Sequence, residues 1–195
     1  MTIRGIAHIA GIFEHPGREL PNLTLAQIHA EVAEGALKDA GLTYRDVDAY
    51  YSAGDAPGFG ALSMADYLGL DCVNIDDTET GGSSYLVHVQ HAAQAIAAGH
   101  IHVALITLAG NPRTGGASPG GSANVSGAPE QSFESLFGLA VPAGYALAAK
   151  RHMYEFGTTS EQLAAIKVAA SNHAQHNPEA FLRDVVTIDE VLESP

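Results

Sequence analysis

The chain has 195 residues, of which 46% are hydrophobic and 16% are charged. This composition is typical of a globular protein, and the length is ample for one buried core or for a domain with a smaller second region. Nine basic residues against 22 acidic ones give a net charge of -13, which argues against nucleic acid as a partner because that binding depends on lysine and arginine neutralising phosphates.

The cysteine count and the hydropathy pattern predict the compartment. Cys72 is the only cysteine, so the chain cannot form an internal disulfide, and a cysteine-based structural metal site is not expected. No segment offers about 18 consecutive apolar residues, and the first residues lack a basic region followed by a signal-length apolar run. We therefore expect a soluble, cytoplasmic protein without a membrane span.

Hydrophobic spacing predicts alternating strands and helices over the first 110 residues. The apolar positions between Thr24 and Ala40 recur at helical spacing, and Gly41 is placed to end that helix. The predicted strands are 3–13, 49–53, 72–77 and 103–108, and the other predicted helices are 62–68 and the segment that ends at Gly99. The order βαβαβαβ predicts a layered α/β domain with right-handed crossovers.

The composition changes after residue 110. Residues 111–129 consist largely of Gly, Ser, Pro, Asn and Ala, which is typical of a functional flap or a mobile excursion. Two helices are predicted beyond it, at 139–156 and 160–177, the second with Thr159 as N-cap and Gln162 as its capping-box partner. We predict an α/β core over residues 1–110 and a loop and helical region over residues 111–195.

The segment from Asp76 to Leu86 reads as a strand end, a glycine turn and the start of a helix. Gly81 and Gly82 allow a tight turn and a close approach to a ligand, and Ser83 or Ser84 can cap the helix. A helix N-terminus at the carboxyl end of a strand suits a phosphate, a carboxylate or a developing oxyanion. The same pattern is equally typical of a capped turn without chemistry, and both interpretations stay open at this point.

Two histidine pairs suggest a metal site, but they lack further ligands. His88 and His91 are three residues apart on one predicted helix, as are His173 and His176 on another. Neither pair has a carboxylate or histidine at a further helical step to supply a third or fourth ligand. We predict no metal site and expect these histidines to be partly exposed.

Acidic residues and the cysteine offer weaker alternatives. Asp76, Asp77 and Glu79 either hold a cation or a shared proton, or line the turn, and the alternation of strand residues favours the second role. Cys72 is not at a helix N-terminus, so an activated thiol is not indicated. The chain has no G-x-S-x-G elbow, and no Gly-Lys-Ser/Thr follows the glycine turn.

Two blocks of the sequence resemble thiolases. The run GGSSYL, followed by HAAQAIAAG at 91–99 and the strand VALI, is similar to their nucleophile-bearing segment. The blocks GLAVPA, KRHMYEFGTT and NHAQHNP, between residues 138 and 178, are similar to the sterol-carrier and lipid-transfer branch. The resemblance covers the chain as an N-terminal thiolase half. It implies a layered α/β fold whose central sheet is mixed but mostly parallel and is covered by helices.

The chain departs from the thiolase pattern at the nucleophile. Active thiolases have cysteine, a small residue, Ser or Thr, glycine and an apolar residue at the start of this helix. Counting back without gaps from residues 96–99, the cysteine position falls on Gly82, and Ser83, Ser84, Tyr85 and Leu86 follow it. Glycine has no side chain to carry an acyl group, so the covalent thiolase route is expected to be absent.

The resemblance therefore implies a subunit that acts on acyl-CoA thioesters without an acyl-enzyme. Thiolase-like proteins that lack this cysteine include aldolase-type lyases of steroid side-chain catabolism, which cleave a β-hydroxyacyl-CoA. That reaction needs a base at the β-hydroxyl group and donors that stabilise a thioester enolate. Backbone N–H groups of Gly82 and Ser83 are the predicted oxyanion donors, and Glu79, Ser84 and Tyr85 are predicted to bind substrate.

Other functions and partners stay open at the level of sequence. The acid–base residues of thiolases lie in their second half, which is either a separate chain or a continuation of this one, so no general base is named. An acyltransferase or condensing thiolase with a nucleophile elsewhere is one alternative, and a non-catalytic scaffold or lipid-binding subunit is another. Coenzyme A is expected only as part of the substrate, with no tightly bound cofactor, and a small OB-fold protein is an expected partner.

The resemblance also implies a homodimer. Thiolases pair through the strand that precedes the nucleophile, and such pairing would cover an open sheet edge. The residues expected at this interface are Val73, Asn74, Ile75, Asp76, Asp77 and Thr78.

Overall fold

The computed structural model describes residues 3–17, 19–111 and 141–194. The chain divides into two compact units, residues 1–123 and 124–195. Nearly all of the predicted loop at 111–129 lies outside the described residues. The predicted division of the chain at residue 110 stays a prediction.

The first unit alternates strands and helices, as the sequence predicts. Its elements are helix α1 (Leu25–Ala40), strand β1 (Ala49–Tyr51), helix α2 (Ala61–Leu68), strand β2 (Asn74–Asp76), helix α3 (Ser84–Ala97) and strand β3 (Ala104–Ile106). Helix α1 begins with the capping box of Thr24 and Gln27 and ends at Gly41, whose φ of 70° is left-handed. Each strand is shorter than its predicted range, while the order of the elements is confirmed.

The strands form a parallel sheet in the order β2-β1-β3. Tyr50 of β1 lies opposite Ile75 of β2 on one side and Leu105 of β3 on the other. On one face of the sheet Tyr50 and Leu105 pack with residues of α1 and α2, and on the other face Tyr51 packs with Ala92 of α3. Helices on both faces of a parallel sheet confirm the predicted α/β class.

The predicted strand at residues 3–13 is wrong. These residues form no strand, and the side chains of Ile9 and Ile12 are 75% and 74% exposed. The segment instead lies alongside α1, and the Ile12 N–H donates to the Asp39 carboxylate near the end of that helix at 2.9 Å. A run of β-branched residues favours a strand only where another strand can pair with it, and none of the three described strands does so.

The second unit is helical where it is described. It contains helices α4 (Val141–Phe156), α5 (Ser160–Ala174) and α6 (Ile188–Leu192). The predicted capping box of Thr159 and Gln162 opens α5, and the Val186 N–H donates to the Ser171 hydroxyl at 3.2 Å, which joins the chain before α6 to α5. In the described parts of both units, no helix has the length and apolar character needed to cross a membrane.

Candidate active site

The carboxyl ends of the three strands meet at one edge of the sheet, and the loops that leave them lie together there. The loop after β1 contains Gly54 and Asp55, and the turn after β2 runs from Asp77 to Ser83 and opens α3. Thr107 follows β3 directly and hydrogen-bonds into the same region. Parallel sheets place ligands at this edge, beyond the ends of the strands.

Glu79 ties the glycine turn to the loop after β1. Its two carboxylate oxygens accept the Gly54 N–H and the Gly81 N–H, each at 2.6 Å, and the Ser84 hydroxyl donates to it at 3.1 Å. These bonds, led by that from Gly54, hold the pKa of Glu79 below its ordinary value. The predicted contact of Glu79 with substrate stays a prediction, because both of its oxygens already bind groups of the chain.

The two glycines of the turn, Gly81 and Gly82, differ in backbone conformation. Gly81 has a φ of 72°, in the left-handed region that side chains disfavour. Gly82 does not have a positive φ, and a Cβ placed on it would meet no atom within 4 Å. The turn therefore needs glycine at Gly81, whereas Gly82 borders open space that a side chain would fill.

Helix α3 begins at this turn without a side-chain cap, so the predicted capping by Ser83 or Ser84 is wrong. Ser83 occupies the N-cap with helical φ and ψ of -89° and -4°, whereas a capping residue is normally extended. Its hydroxyl donates to the Thr80 carbonyl at 3.1 Å, and that of Ser84 donates to the Gly81 carbonyl at 2.6 Å. Within the described chain the Ser83 N–H has no hydrogen-bond acceptor, while Gly82 pairs with Thr80 in an isolated bridge.

A buried polar network lies beneath the turn, and sequence reasoning missed most of it. The Tyr85 hydroxyl donates to the Asp55 carboxylate, which also accepts the Ala109 N–H at 2.7 Å. The second Asp55 oxygen lies 3.4 Å from Nε2 of His29, which is fully buried. Nδ1 of His29 is 2.8 Å from the Thr107 hydroxyl. The network links α1, α3 and the loops after β1 and β3.

Burial shifts the ionisation of this network. It lowers the pKa of His29 although Asp55 opposes the shift, and it raises the pKa of Tyr85, with the hydrogen bond and charge of Asp55 adding to the effect. Burial also raises the pKa of Tyr50, which shares a 2.6 Å hydrogen bond with Thr107, to about 12. Neutral imidazole and protonated phenols are thus favoured around one buried carboxylate.

Comparisons with known proteins identify the fold and the relatives of the chain. No family model matches it. The chain is 30% identical to a steroid side-chain-cleaving aldolase of Thermomonospora curvata, over 97% of this chain and 50% of the aldolase. It is 29% identical to an acetyl-CoA acetyltransferase of Methanothermobacter thermautotrophicus, over 95% of this chain and 49% of that enzyme. The solved Ltp2-ChsH2(DUF35) aldolase superposes with a TM-score of 0.81 at 28% identity, over 96% of this chain and 48% of that one.

The chain is a homologue of the thiolase-like proteins. The recognition made from the sequence is therefore confirmed, and so is the thiolase-like α/β fold. The chain spans about half the length of the curated relatives that it matches. The predicted roles of Gly82, Ser83, Ser84 and Tyr85 stay predictions; Ser84 and Tyr85 are the first two residues of α3, Ser83 is its N-cap and Gly82 precedes the N-cap.

The prediction that His88 is partly exposed is wrong. His88 is completely buried between the rings of Tyr51 and Tyr85, with ring centroids 5.9 and 5.8 Å away. Its Nε2 donates to the Thr78 carbonyl at 3.0 Å, and Nδ1 has no partner among the described residues. Because a carbonyl oxygen only accepts hydrogen bonds, this contact requires a proton on Nε2.

The acidic residues before the turn have separate structural partners. Asp76 accepts from Thr78 at 2.7 Å and contacts His91 at 2.5 Å; burial alone would raise its pKa, but these hydrogen bonds lower it. Asp77 accepts the Ala61 N–H at 2.7 Å and so caps α2. No group of three or more metal-ligating side chains occurs in residues 3–17, 19–111 and 141–194.

Among the described strands, the one predicted to form the homodimer lies at an edge of the sheet. There β2 pairs with β1 alone, and Val73 next to it is 75% exposed. An unpaired strand edge can add a strand from a second chain. The homodimer stays a prediction.

Proposed function

We propose that the protein of which this chain is part cleaves a carbon–carbon bond in a β-hydroxyacyl-CoA by a retro-aldol route, without a cysteine acyl-enzyme. The observation that carries the proposal is Gly82, on which the thiolase nucleophile position falls when the resembling segment is counted without gaps, and which lies just before the N-cap of α3 and borders open space. The names of two homologues, a steroid side-chain-cleaving aldolase and the Ltp2-ChsH2(DUF35) aldolase, support this class of reaction. A bulky or polycyclic acyl-CoA is the first substrate to test.

The first turn of α3 supplies a site for the thioester oxygen. A retro-aldol cleavage leaves the electron pair of the broken bond on the thioester as an enolate, whose oxygen needs hydrogen-bond donors. The Ser83 N–H points from a helix N-terminus and lacks an acceptor within the described residues. Gly82, which has no side chain, lets the thioester come close to this N–H and to its own.

Coenzyme A binding requires residues beyond these loops. The loops at 52–60 and 77–84 contain no Lys or Arg, while they contain Asp55, Asp77 and Glu79. The phosphates of coenzyme A call for cationic side chains or free N–H groups. We therefore propose that the remaining half of the protein, or a small OB-fold partner, supplies the charge that binds the nucleotide part of the substrate.

The complete protein, purified with any partner that co-purifies, decides between this reaction and the alternative. A β-hydroxyacyl-CoA is expected to give a carbonyl product and a shortened acyl-CoA without added free CoA, as followed by chromatography and mass spectrometry. The name of the acetyl-CoA acetyltransferase homologue favours acyl transfer instead. Thiolysis that depends on free CoA, together with an intact-protein mass increase equal to an acyl group, would establish acyl transfer and reject the lyase.

A further inference from the structure

Helix α3 begins without the side-chain cap that normally fixes the start of a helix. Its N-cap residue Ser83 has helical backbone angles, and its hydroxyl caps no N–H group. Among the described residues, the N–H groups of Ser83 and Tyr85 have no hydrogen-bond acceptor. A capping side chain would satisfy such groups and stabilise the helix end. Because the cap is missing, the position of the first turn of α3 depends on other contacts.

The phenol of Tyr85 supplies one of these contacts. Its hydroxyl donates to the carboxylate of Asp55, whose side chain is only 4% exposed. The second oxygen of that carboxylate accepts the Ala109 N–H at 2.7 Å, in the chain that follows β3. Asp55 itself lies in the loop after β1. One buried carboxylate therefore joins the first turn of α3 to the segments that leave two strands of the sheet.

The residue before Asp55 makes a second contact with the same region. The Gly54 N–H donates to the Glu79 carboxylate at 2.6 Å, and this carboxylate also accepts the Gly81 N–H and the Ser84 hydroxyl. A Cβ on Gly54 would lie 2.8 Å from an oxygen of Glu79, so the loop after β1 approaches the turn more closely than a side chain there would allow. Two neighbouring residues of one loop thus attach both the turn and the first helical residues.

The other groups around Tyr85 leave its bond to Asp55 intact. The ring of His88 packs edge-on against the Tyr85 ring, with centroids 5.8 Å apart, and its Nε2 bonds to the Thr78 carbonyl at 3.0 Å. Burial, together with the hydrogen bond and the charge of Asp55, raises the pKa of Tyr85. The phenol therefore keeps its proton at neutral pH and is a constant donor to Asp55.

We propose that Tyr85 is a positioning residue, which anchors the first turn of α3 to Asp55 and so holds the Ser83 N–H in place for the enolate oxygen. This inference rests on the proposed lyase reaction. A hydrogen-bond donor stabilises a transition state most when it is already oriented towards the developing charge. An anchor through a side chain fixes the helix start without occupying the N–H groups, as a cap would. The Tyr85 hydroxyl acts through Asp55 and transfers no proton to or from the substrate.

Tyr85→Phe in the complete protein tests the anchor, because it keeps the ring and removes the hydroxyl. With a β-hydroxyacyl-CoA as substrate, we expect kcat to fall by about 10- to 10²-fold while KM changes by less than about threefold, since a displaced donor weakens binding of the transition state more than binding of the substrate. Tyr44→Phe is the matched control, because it removes a phenol that donates to the Ala30 carbonyl at 3.2 Å, outside the site. Its kcat is expected to stay at the wild-type value.

Hydrogen–deuterium exchange of the same proteins reports on the turn without any substrate. We expect the peptide that covers residues 79–87 to exchange at least about threefold faster in Tyr85→Phe than in the wild type, and at the wild-type rate in Tyr44→Phe. Faster exchange together with the lower kcat supports the anchor. A wild-type kcat in Tyr85→Phe overturns it, and so does a lower kcat with unchanged exchange.

A double variant tests whether Tyr85 acts through Asp55. The loss of kcat when Tyr85→Phe and Asp55→Asn are combined is expected to be no greater than in Asp55→Asn alone, because both changes act on the same hydrogen bond. Losses that multiply overturn the proposed route through Asp55. Circular dichroism checks each fold, and Tyr85→Phe decides by itself if Asp55→Asn does not fold. A folded wild type without cleavage rejects the proposed function and the catalytic part of the anchor, whereas unchanged exchange in Tyr85→Phe rejects the anchor alone.

Discussion

Replacing Glu79 by glutamine is expected to destabilise the turn that opens α3. The carboxylate accepts two backbone N–H groups at 2.6 Å and a hydroxyl at 3.1 Å. Glutamine keeps one oxygen and turns the other into an NH₂ group that faces an N–H donor. A hydrogen bond to a charged group contributes about 1.5 to 3 kcal/mol. Since Glu79 is exposed and solvent screens its charge, we expect a value at or below the bottom of that range, about 1 to 1.5 kcal/mol of unfolding free energy.

The loss of unfolding free energy in Glu79→Gln is expected to depend on pH. The pKa of Glu79 is lower in the folded protein than its ordinary value of 4.5, so the carboxylate stabilises the fold fully above that value. The stabilisation is lost as the pH falls through the lowered pKa of the folded state. The difference between wild type and Glu79→Gln is therefore expected to be largest at neutral pH and to shrink in acid.

Urea unfolding of the complete protein at neutral and acid pH measures both effects. Glu193→Gln is the matched control, because it removes the same charge from a carboxylate that has no partner among the described residues. If Glu79→Gln and Glu193→Gln unfold at the same urea concentration at neutral pH, the hydrogen bonds of Glu79 do not stabilise the turn.

Three further changes test the turn, a cap and the predicted interface. Gly81→Ala is expected to cost about 1 to 2 kcal/mol because φ is 72°, whereas Gly82→Ala is expected to stay within about 0.5 kcal/mol; equal costs in thermal unfolding would contradict this. Asp77→Ala removes the cap at Ala61 and is expected to cost about 1 kcal/mol, and an unchanged melting temperature would refute it. If β2 forms a dimer interface, Val73→Lys is expected to give a monomer in light scattering, and a wild-type monomer would reject the interface.

Local patterns were sufficient for most of the fold. The helical spacing of apolar residues, the capping residues and the glycines at helix ends placed α1 and α5 within a few residues. The segment at 3–13 shows the limit of this reasoning. A strand exists only through a neighbour, and neighbours are set by tertiary structure, which the composition of the segment does not contain.

The site shows the same division between local and distant information. The turn with Gly81 and Gly82 is contiguous in the sequence, and it was found. His29, Asp55 and Tyr85 are separated by 26 and 30 residues and meet only because three elements pack at one sheet edge. The sequence does show an acidic residue, Asp55, in the glycine-rich loop directly after β1, and a histidine, His29, beside the apolar stripe of α1. Neither position indicates which residue it contacts in the folded chain.

The glycine at Gly82 bears on whether the loss of a nucleophile must mean the loss of chemistry. A side chain at Gly82 would enter open space beside the first N–H groups of α3. If the proposed lyase reaction is correct, the absence of that side chain leaves the N–H groups accessible to an enolate oxygen. Glu79, which accepts the Gly54 and Gly81 N–H groups, then fixes the turn that presents them.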